Sequence, residues 1–553
     1  MAWHNFVTVS HVHLIKTLAR NPSLYNNLLT LYSGNPSTLP SALKLFDRLP
    51  FSPTVASWTS IISSTSSHSP LLSFQFFLSM LRSSTFPNQR AIASLLSHHH
   101  FLTPQLHSLS LKLSQSNLPF AGSALIAAYA KCGNGEGALK VFDRIQIKDD
   151  VCYGAAITGL VRCKNPVYAL KVFACMRDAG VYSNEVSVSS ALRAAAELSA
   201  LEQTRMIHGH TIVNGLERSS VVIGTALVST YGKAGEVGDN GARKVFDSML
   251  AMNIFTWNSM IAGYGQHGDW RGASEVFDLM QCANNVKCDD FTFLFLLTSF
   301  SNAGLVVETQ IWLNKMESQF GVKPNIKHHT CLIGAMARTG EVEAALLLTT
   351  SMPFEPDETI WRTLLTACVS HRKTEMGRVV FERLVELNPL DKSAYLMLSN
   401  LHAIAGEPDE ATGIKKSMKN LNMKGDGGRS WVEVQGEVHM FTASENLQDG
   451  GHKCEIMAKV VELMERIKRL GYVGSEDRKL WYHSEKLAVG FGLLIGELPT
   501  GKTLRVVNNL RICPDCHEYL RHVSLLVERR IVVRDVNRFH IFDHGRCSCN
   551  GIW

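Results

Sequence analysis

The residues that can do chemistry cluster near the end of the chain. His483-Ser484-Glu485 stands 30 residues before Cys513, which opens the C-x-x-C run Cys513-Pro514-Asp515-Cys516. One imidazole and two thiolates, from His483, Cys513 and Cys516, make three zinc ligands and leave a fourth position open for water. Zinc lowers the pKa of such a water toward neutrality. Glu485, two residues from the histidine, can carry a proton between that water and a leaving group without binding the metal. A redox C-x-x-C needs a thioredoxin-like βαβ context, which this stretch lacks. A second set follows: His517 comes directly after Cys516, and Cys547-Ser548-Cys549 comes after His540 and His544. His517, Cys547, Cys549 and one of those two histidines would complete a closed structural zinc. The expected cofactor is therefore Zn2+, at two sites.

The rest of the chain must position these groups. At 553 residues it is too long for one core, so several domains or a repeat array are expected. Its 45% hydrophobic and 19% charged residues are ordinary for a soluble protein. No apolar run reaches the ~18 residues of a membrane span, so no membrane partner is expected. Four of the thirteen cysteines fall within the last 41 residues, and such clustering reads as metal binding rather than disulfide bonding. The net charge is +6, but its distribution says more. Between Met1 and Gly135 the only acid is Asp47, against eight Lys and Arg. Organelle transit peptides share this acid-poor, Ser-rich character. Residues 1–20 are read as a short transit segment.

A helical pattern recurs with apolar residues at i, i+3, i+4 and i+7: Ala138, Val141, Phe142, Ile145; Ala169, Val172, Phe173, Met176; Ala242, Val245, Phe246, Met249; Ala273, Val276, Phe277, Met280. Each set is one face of a helix. A second element lies upstream of each, as in Ser123–Tyr129 and Trp257–Tyr264, usually with a Gly-containing turn between them. Neighbouring copies lie about 31 residues apart (Phe142 to Phe173), and the whole pattern returns about 104 residues later (Phe142 to Phe246). Each pair can bury its apolar face only against its neighbours, which makes a solenoid.

These units resemble plant pentatricopeptide repeats of the class that alternates long and short motifs. The likeness rests on Ala128-Tyr129-Ala130-Lys131-Cys132-Gly133, Trp257-Asn258-Ser259-Met260-Ile261-Ala262-Gly263-Tyr264 and Ser351-Met352-Pro353-Phe354-Glu355-Pro356-Asp357. It implies single-stranded RNA as partner, read one base per repeat by paired side chains. Alignment to the family gives the pairs as Thr59 with Asn88, Ser123 with Asp149, Thr225 with Asn253, Asn258 with Asp289, and Thr330 with Asp357. The family's code implies A, G, A, U and G for them in that order. Gly154 with Asn184 and Asn26 with Thr54 depart from that code. Small accessory editing factors are further partners the resemblance implies.

The array is expected over 21–357, with extension motifs and a linker over 358–436. Trp361-Arg362-Thr363-Leu364-Leu365 carries the likeness there, and Gly427-Gly428-Arg429-Ser430-Trp431 resembles the family's boundary motif with Gly427 where Pro is usual. Residues 437–553 resemble the DYW domain, through Tyr482-His483-Ser484-Glu485-Lys486-Leu487-Ala488 and Val533-Arg534-Asp535-Val536-Asn537-Arg538-Phe539-His540. The H-x-E and C-x-x-C order is that of zinc nucleobase deaminases. The resemblance favours His540 over His544 as ligand and implies C-to-U editing of organellar transcripts, in mitochondrion or chloroplast. The chain departs from the family in ending on Gly551-Ile552-Trp553 instead of Asp-Tyr-Trp, and in a shorter stretch between Val473 and His483. An RNA-binding specificity factor with deamination supplied in trans is the alternative. The expected fold is mainly α: a right-handed α-solenoid of helix–turn–helix repeats followed by a smaller α/β zinc deaminase-like domain.

Overall fold

The computed structural model describes residues 22–33, 36–216, 220–283, 286–421, 428–442, 453–473, 482–495, 503–536 and 538–549. The expected transit segment, Gly427, most of the stretch before His483 and the last three residues lie outside that set. The chain divides after Ala194 into two units, taken in turn.

The first unit is built from helix pairs, such as Pro119–Lys131 with Gly135–Arg144 and Asp150–Arg162 with Pro166–Asp178. Gly133, at φ +73°, makes the turn inside one pair, and Asn134 then caps the next helix by accepting from the Gly137 N–H. Lys164 holds the matching turn of the following pair at φ +58°, a conformation that suits glycine better. The apolar face works as its spacing predicts: Ala138, Val141 and Phe142 are buried, and Ile145 packs from the C-cap position just beyond the helix. Phe142 meets Tyr153 of the following first helix edge-on at 5.2 Å. Phe46 and Trp58 do the same at 4.9 Å.

The second unit continues the pattern. Val221–Lys233 pairs with Ala242–Ser248, Ile254–Gln266 with Trp270–Cys282, and Asp290–Asn302 with Val306–Ser318. Phe246 packs on Trp257 at 4.9 Å and Phe277 on Phe293 at 5.8 Å. Each such pair adds about 0.5–1.5 kcal/mol beyond its buried area. Two of the first helices approach so closely that a Cβ on Gly232 would lie 3.2 Å from the Gly263 Cα. Helix pairs of the same kind run on to Pro408–Asn420.

After them comes a six-stranded sheet of order β2-β1-β3-β4-β5-β6. Its strands are β1 (Arg429–Val434), β2 (Glu437–Thr442), β3 (Leu504–Asn508), β4 (Ile531–Arg534), β5 (Phe539–Asp543) and β6 (Arg546–Cys547). Only β3 and β4 run parallel, and helix Pro514–Leu526 makes the crossover between them. The C-x-x-C run therefore does stand at the head of the helix of a βαβ unit, the context that the sequence reading finds lacking. What distinguishes it from a redox pair is the imidazole of His483 beside both thiols. Helices Lys453–Arg469 and Ser484–Leu494 share the core with the sheet, through Val460, Leu487, Val506, Tyr519, Val533 and Phe542. Strand β1 lies within 358–436, the range read as extension motifs and linker, yet it pairs with β3 in the interior of the sheet. Among the described residues no helix is long and apolar enough to cross a membrane.

Candidate metal centres and nucleic-acid interface

Two helix N-termini converge on the first cluster. His483 is the N-cap residue of Ser484–Leu494, and Cys513 is the N-cap of Pro514–Leu526, its Sγ accepting from the Cys516 N–H at 3.4 Å. Pro514 at the first helical position suits the turn, since its missing N–H would have had no helical partner. His483 Nδ1 lies 3.6 Å from Cys513 Sγ and 3.4 Å from Cys516 Sγ. A tetrahedral zinc with ~2.3 Å bonds to sulfur and ~2.05 Å bonds to nitrogen sets N and S about 3.5 Å apart, so the donors fit that ion. The Cys513 thiol is pulled down to about 4 by the Cys516 hydrogen bond and by His483, although burial opposes it. Cys516 is pushed well up because Cys513 holds the adjacent negative charge. Without a metal the pair therefore stands as one thiolate and one neutral thiol, and a cation between them would let both ionise.

Glu485 sits in the first turn of its helix, only 5% exposed, and burial raises its carboxyl above the usual range. Its Oε1 accepts from Asn508 Nδ2 and its Oε2 from Ser484 Oγ at 3.3 Å. Ser430 Oγ donates in turn to Ser484 Oγ at 2.9 Å. The sequence reading missed Asn508. Its only signal is a polar residue closing strand β3 after the buried Leu504, Val506 and Val507. The reading also missed the brace between the two ligand helices. Fully buried Lys486 pairs with Asp515 at 2.6 Å and lies 5.1 Å from the Tyr519 ring centre, while the Tyr472 hydroxyl donates to Asp515 at 2.6 Å. One helix contributes the lysine, and the other the carboxylate and the ring.

The second cluster gathers four buried side chains, His517, His540, Cys547 and Cys549. His540 Nδ1 lies 3.7 Å from Cys547 Sγ, and His517 Nε2 lies 3.3 Å from Cys549 Sγ, again zinc-like separations. Asp535 stands 3.5 Å from His540 Nε2, on the other side of the ring from the Nδ1 that faces the cluster. A carboxylate there would orient the imidazole and raise its basicity as a ligand. His544, the rival to His540, is exposed and turned to Asp543. Adjacent residues Cys516 and His517 thus belong to different clusters, so one helix ties the two together.

The base-reading candidates divide. Thr59 Oγ1 donates to Asn88 Oδ1 at 3.1 Å, and Asn258 Nδ2 to Asp289 Oδ1 at 3.1 Å. Thr225 reaches Asn253 through Thr256, whose hydroxyl is 2.7 Å from Thr225 Oγ1 and donates to Asn253 at 3.1 Å. Ser123 and Thr330 instead bond back to the carbonyls of Phe120 and Ile326, while Asp149 and Asp357 cap their helices through the Cys152 and Ile360 N–H groups. These two pairs do not meet directly. Asn26, whose pair departs from the family's code, donates to Thr54 at 3.2 Å. In all five pairs the second member is the N-cap of the next first helix. Capping alone favours Asn, Asp, Ser or Thr there. Asn258 and Asp289 line a groove of about 420 Å³ together with Phe255, Phe291, Lys233 and Gln266.

The sequence profile of the DYW family of nucleic acid deaminases matches residues 472–553, and that of the E motif residues 371–433. Profiles of the PPR repeat match residues 123–149, 151–181 and 252–302. The mitochondrial pentatricopeptide repeat-containing protein At3g26782 of Arabidopsis thaliana is 34% identical over 95% of this chain and 82% of its own length. The chloroplastic protein At3g49170 of the same plant is 33% identical over 79% of this chain and 52% of its own. The chain spans little more than half the length of several other curated relatives. Relatives in both compartments support an organellar location. Among solved structures, the pentatricopeptide repeat protein PPR10 in complex with an 18-nt psaJ RNA element shares the fold, with a TM-score of 0.57 and 21% identity over 74% of this chain and 62% of that one. The chain belongs to the plant pentatricopeptide repeat proteins of the PLS class, with an E motif and a C-terminal DYW deaminase domain.

Proposed function

We propose that the helical array binds single-stranded organellar RNA by sequence and that the C-terminal domain, expected over 437–553 with β1 added, converts one cytidine to uridine by zinc-dependent hydrolysis. The observation that carries this is Glu485, buried and held by Asn508 and Ser484, beside three donors at zinc-like spacing. His483, Cys513 and Cys516 would hold the metal, which when bound supplies an activated water as nucleophile. Glu485, with its carboxyl raised by burial, would take one proton from the water and give it to N3, then take the second from the new C4 hydroxyl and give it to the leaving amine. A C–O bond forms at C4, the C4–N4 bond breaks, and ammonia leaves. His517, His540, Cys547 and Cys549 would hold a second, structural zinc behind the first. Base choice falls to Thr59 with Asn88, Ser123 with Asp149, Thr225 with Asn253, Asn258 with Asp289 and Thr330 with Asp357. Accessory editing factors could assist from the array. Replacing Glu485 with Ala in a plant lacking the gene tests the reading. Loss of editing is expected, whereas full restoration would mean that deamination comes from a partner.

A further inference from the structure

The sheet domain also carries charged side chains that face the repeats instead of the metal clusters. Arg534 Nη1 donates to the Ala196 carbonyl at 3.2 Å and to Ser199 Oγ at 2.6 Å, at the C-terminal end of Glu185–Leu198. Arg505 Nη1 donates to the carbonyls of Ala234 at 3.2 Å and Gly235 at 3.4 Å, just past Val221–Lys233, and Nη2 pairs with Glu236. Arg538 Nη1 reaches the carbonyl of Asn302, the last residue of Asp290–Asn302, at 3.4 Å. Between these, His267, the C-cap of Ile254–Gln266, stacks on Phe539 with centroids 4.2 Å apart and planes 11° apart. The contacts thus fall on the C-terminal ends of four consecutive first helices.

The opposite sign appears at the opposite kind of terminus. The Glu433 carboxylate accepts from the N–H groups of Glu202 and Gln203, both at 2.9 Å, in the first turn of Leu201–Val213. Gly436 N–H donates back to Glu202 at 2.8 Å. Cations at helix C-termini and an anion at an N-terminus are the arrangement the helix dipole favours. Unpaired carbonyls and N–H groups at helix ends need partners, and here the partners come from another domain. Gly235 sits at φ +85°, and a Cβ there would stand 2.7 Å from the Arg505 guanidinium, so the turn and the contact both require glycine. Arg505 and Glu236 are largely buried, so neither is an idle surface charge.

We propose that Arg505, Arg534, Arg538 and Glu433, with the Phe539–His267 stack, are positioning residues: a latch that fixes the deaminase domain on the turn edge of four consecutive repeats. The latch holds the His483 cluster at a fixed distance from the second-unit repeats it grips, a ruler along which a single nucleotide of the bound strand is presented for deamination. The ruler rests on the function proposed above, whereas the latch itself does not.

The full-length chain carries its own probes, the exposed Cys282 on the array and the exposed Cys454 in the sheet domain. With Cys132 and Cys175 changed to Ser, fluorophores on these two sites should report one narrow distance. Arg505→Glu with Arg534→Glu should broaden it, and Glu236→Arg, which leaves the sheet untouched, should broaden it too. Combining Arg505→Glu with Glu236→Arg should restore the narrow distance, which a merely misfolded sheet could not do. Incubation with a random RNA pool, sequenced before and after, reads the ruler. The unaltered protein should convert cytidines at one spacing from the enriched sequence. The double-Glu variant should lose about 100-fold in conversion there, the scale expected when reacting groups are misplaced by an ångström or more. A broad distance in the unaltered protein, or a narrow one in both latch variants, would overturn the latch. Undiminished conversion at one spacing in a variant with a broadened distance would overturn the ruler. A narrow distance with no conversion at all would support the latch and refute the deaminase reading.

Discussion

Glu485 is the residue on which the chemistry turns. Glu485→Gln keeps the shape and the Asn508 contact but removes the proton carrier, so deamination should fall by about 10²–10⁴-fold with zinc content unchanged, measured by conversion rate and by metal analysis. Zinc content separates the two clusters as well. Cys513→Ser should lose one metal and activity, while Cys547→Ser should lose the other metal together with thermal stability, since a structural zinc contributes directly to folding. The ligands were legible because zinc demands fixed donor types at short spacings, and His483, Cys513 and Cys516 meet that demand within one stretch of chain. Asn508 and the Lys486–Asp515 pair were not legible. A polar residue at a strand end and an i, i+29 charge pair follow no periodicity, and only the packed core shows that Lys486 is fully buried.

At the scale of elements, base reading and helix capping share one position. Asn253 caps Ile254–Gln266 through the Thr256 N–H. Asn253→Ala should cost about 1 kcal/mol of local stability and also blur base choice. Asn253→Asp keeps a capping oxygen, so binding selections should move from A toward G while thermal unfolding stays unchanged. A lost preference with lost stability in both variants would show that the position only caps. The helix pairs were legible because four apolar residues at i, i+3, i+4 and i+7 leave one face for burial. The turns were legible where glycine marks them. Lys164, at φ +58°, hides the same turn behind an ordinary residue. Lys164→Gly should raise the melting temperature, gaining up to about 1 kcal/mol by relieving the left-handed strain. Strand β1 was assigned to the bridge because, although it forms a local hairpin with β2, its pairing with β3 joins residues 74 to 78 positions apart, beyond any local signal.

At the scale of the whole molecule, the contacts that matter join residues 230 to 338 positions apart, such as Gln203 with Glu433 and Ala196 with Arg534. An arginine on a strand reads as a solvated charge until the helix ends opposite it are known, which is why the latch had no sequence signature. His267 gives the latch a pH dependence. Burial and the nearby Arg505 hold its imidazole down to about 4, so it is neutral when stacked on Phe539. A histidine with a lowered pKa contributes stability above ~6.5, and that contribution is lost as pH falls toward 4. Docking should weaken by about 2 kcal/mol between pH 7 and pH 5, and the Cys282–Cys454 distance should broaden over that window less in His267→Phe than in the unaltered protein. The central claim, that one chain both selects and deaminates a cytidine, is tested most directly by sequencing organellar RNA from plants lacking the gene and from the same plants carrying the intact or the Glu485→Ala form. The account predicts a C-to-U site that is lost without the gene, regained with the intact form and absent with Glu485→Ala. Full editing at that site with Glu485→Ala would contradict it.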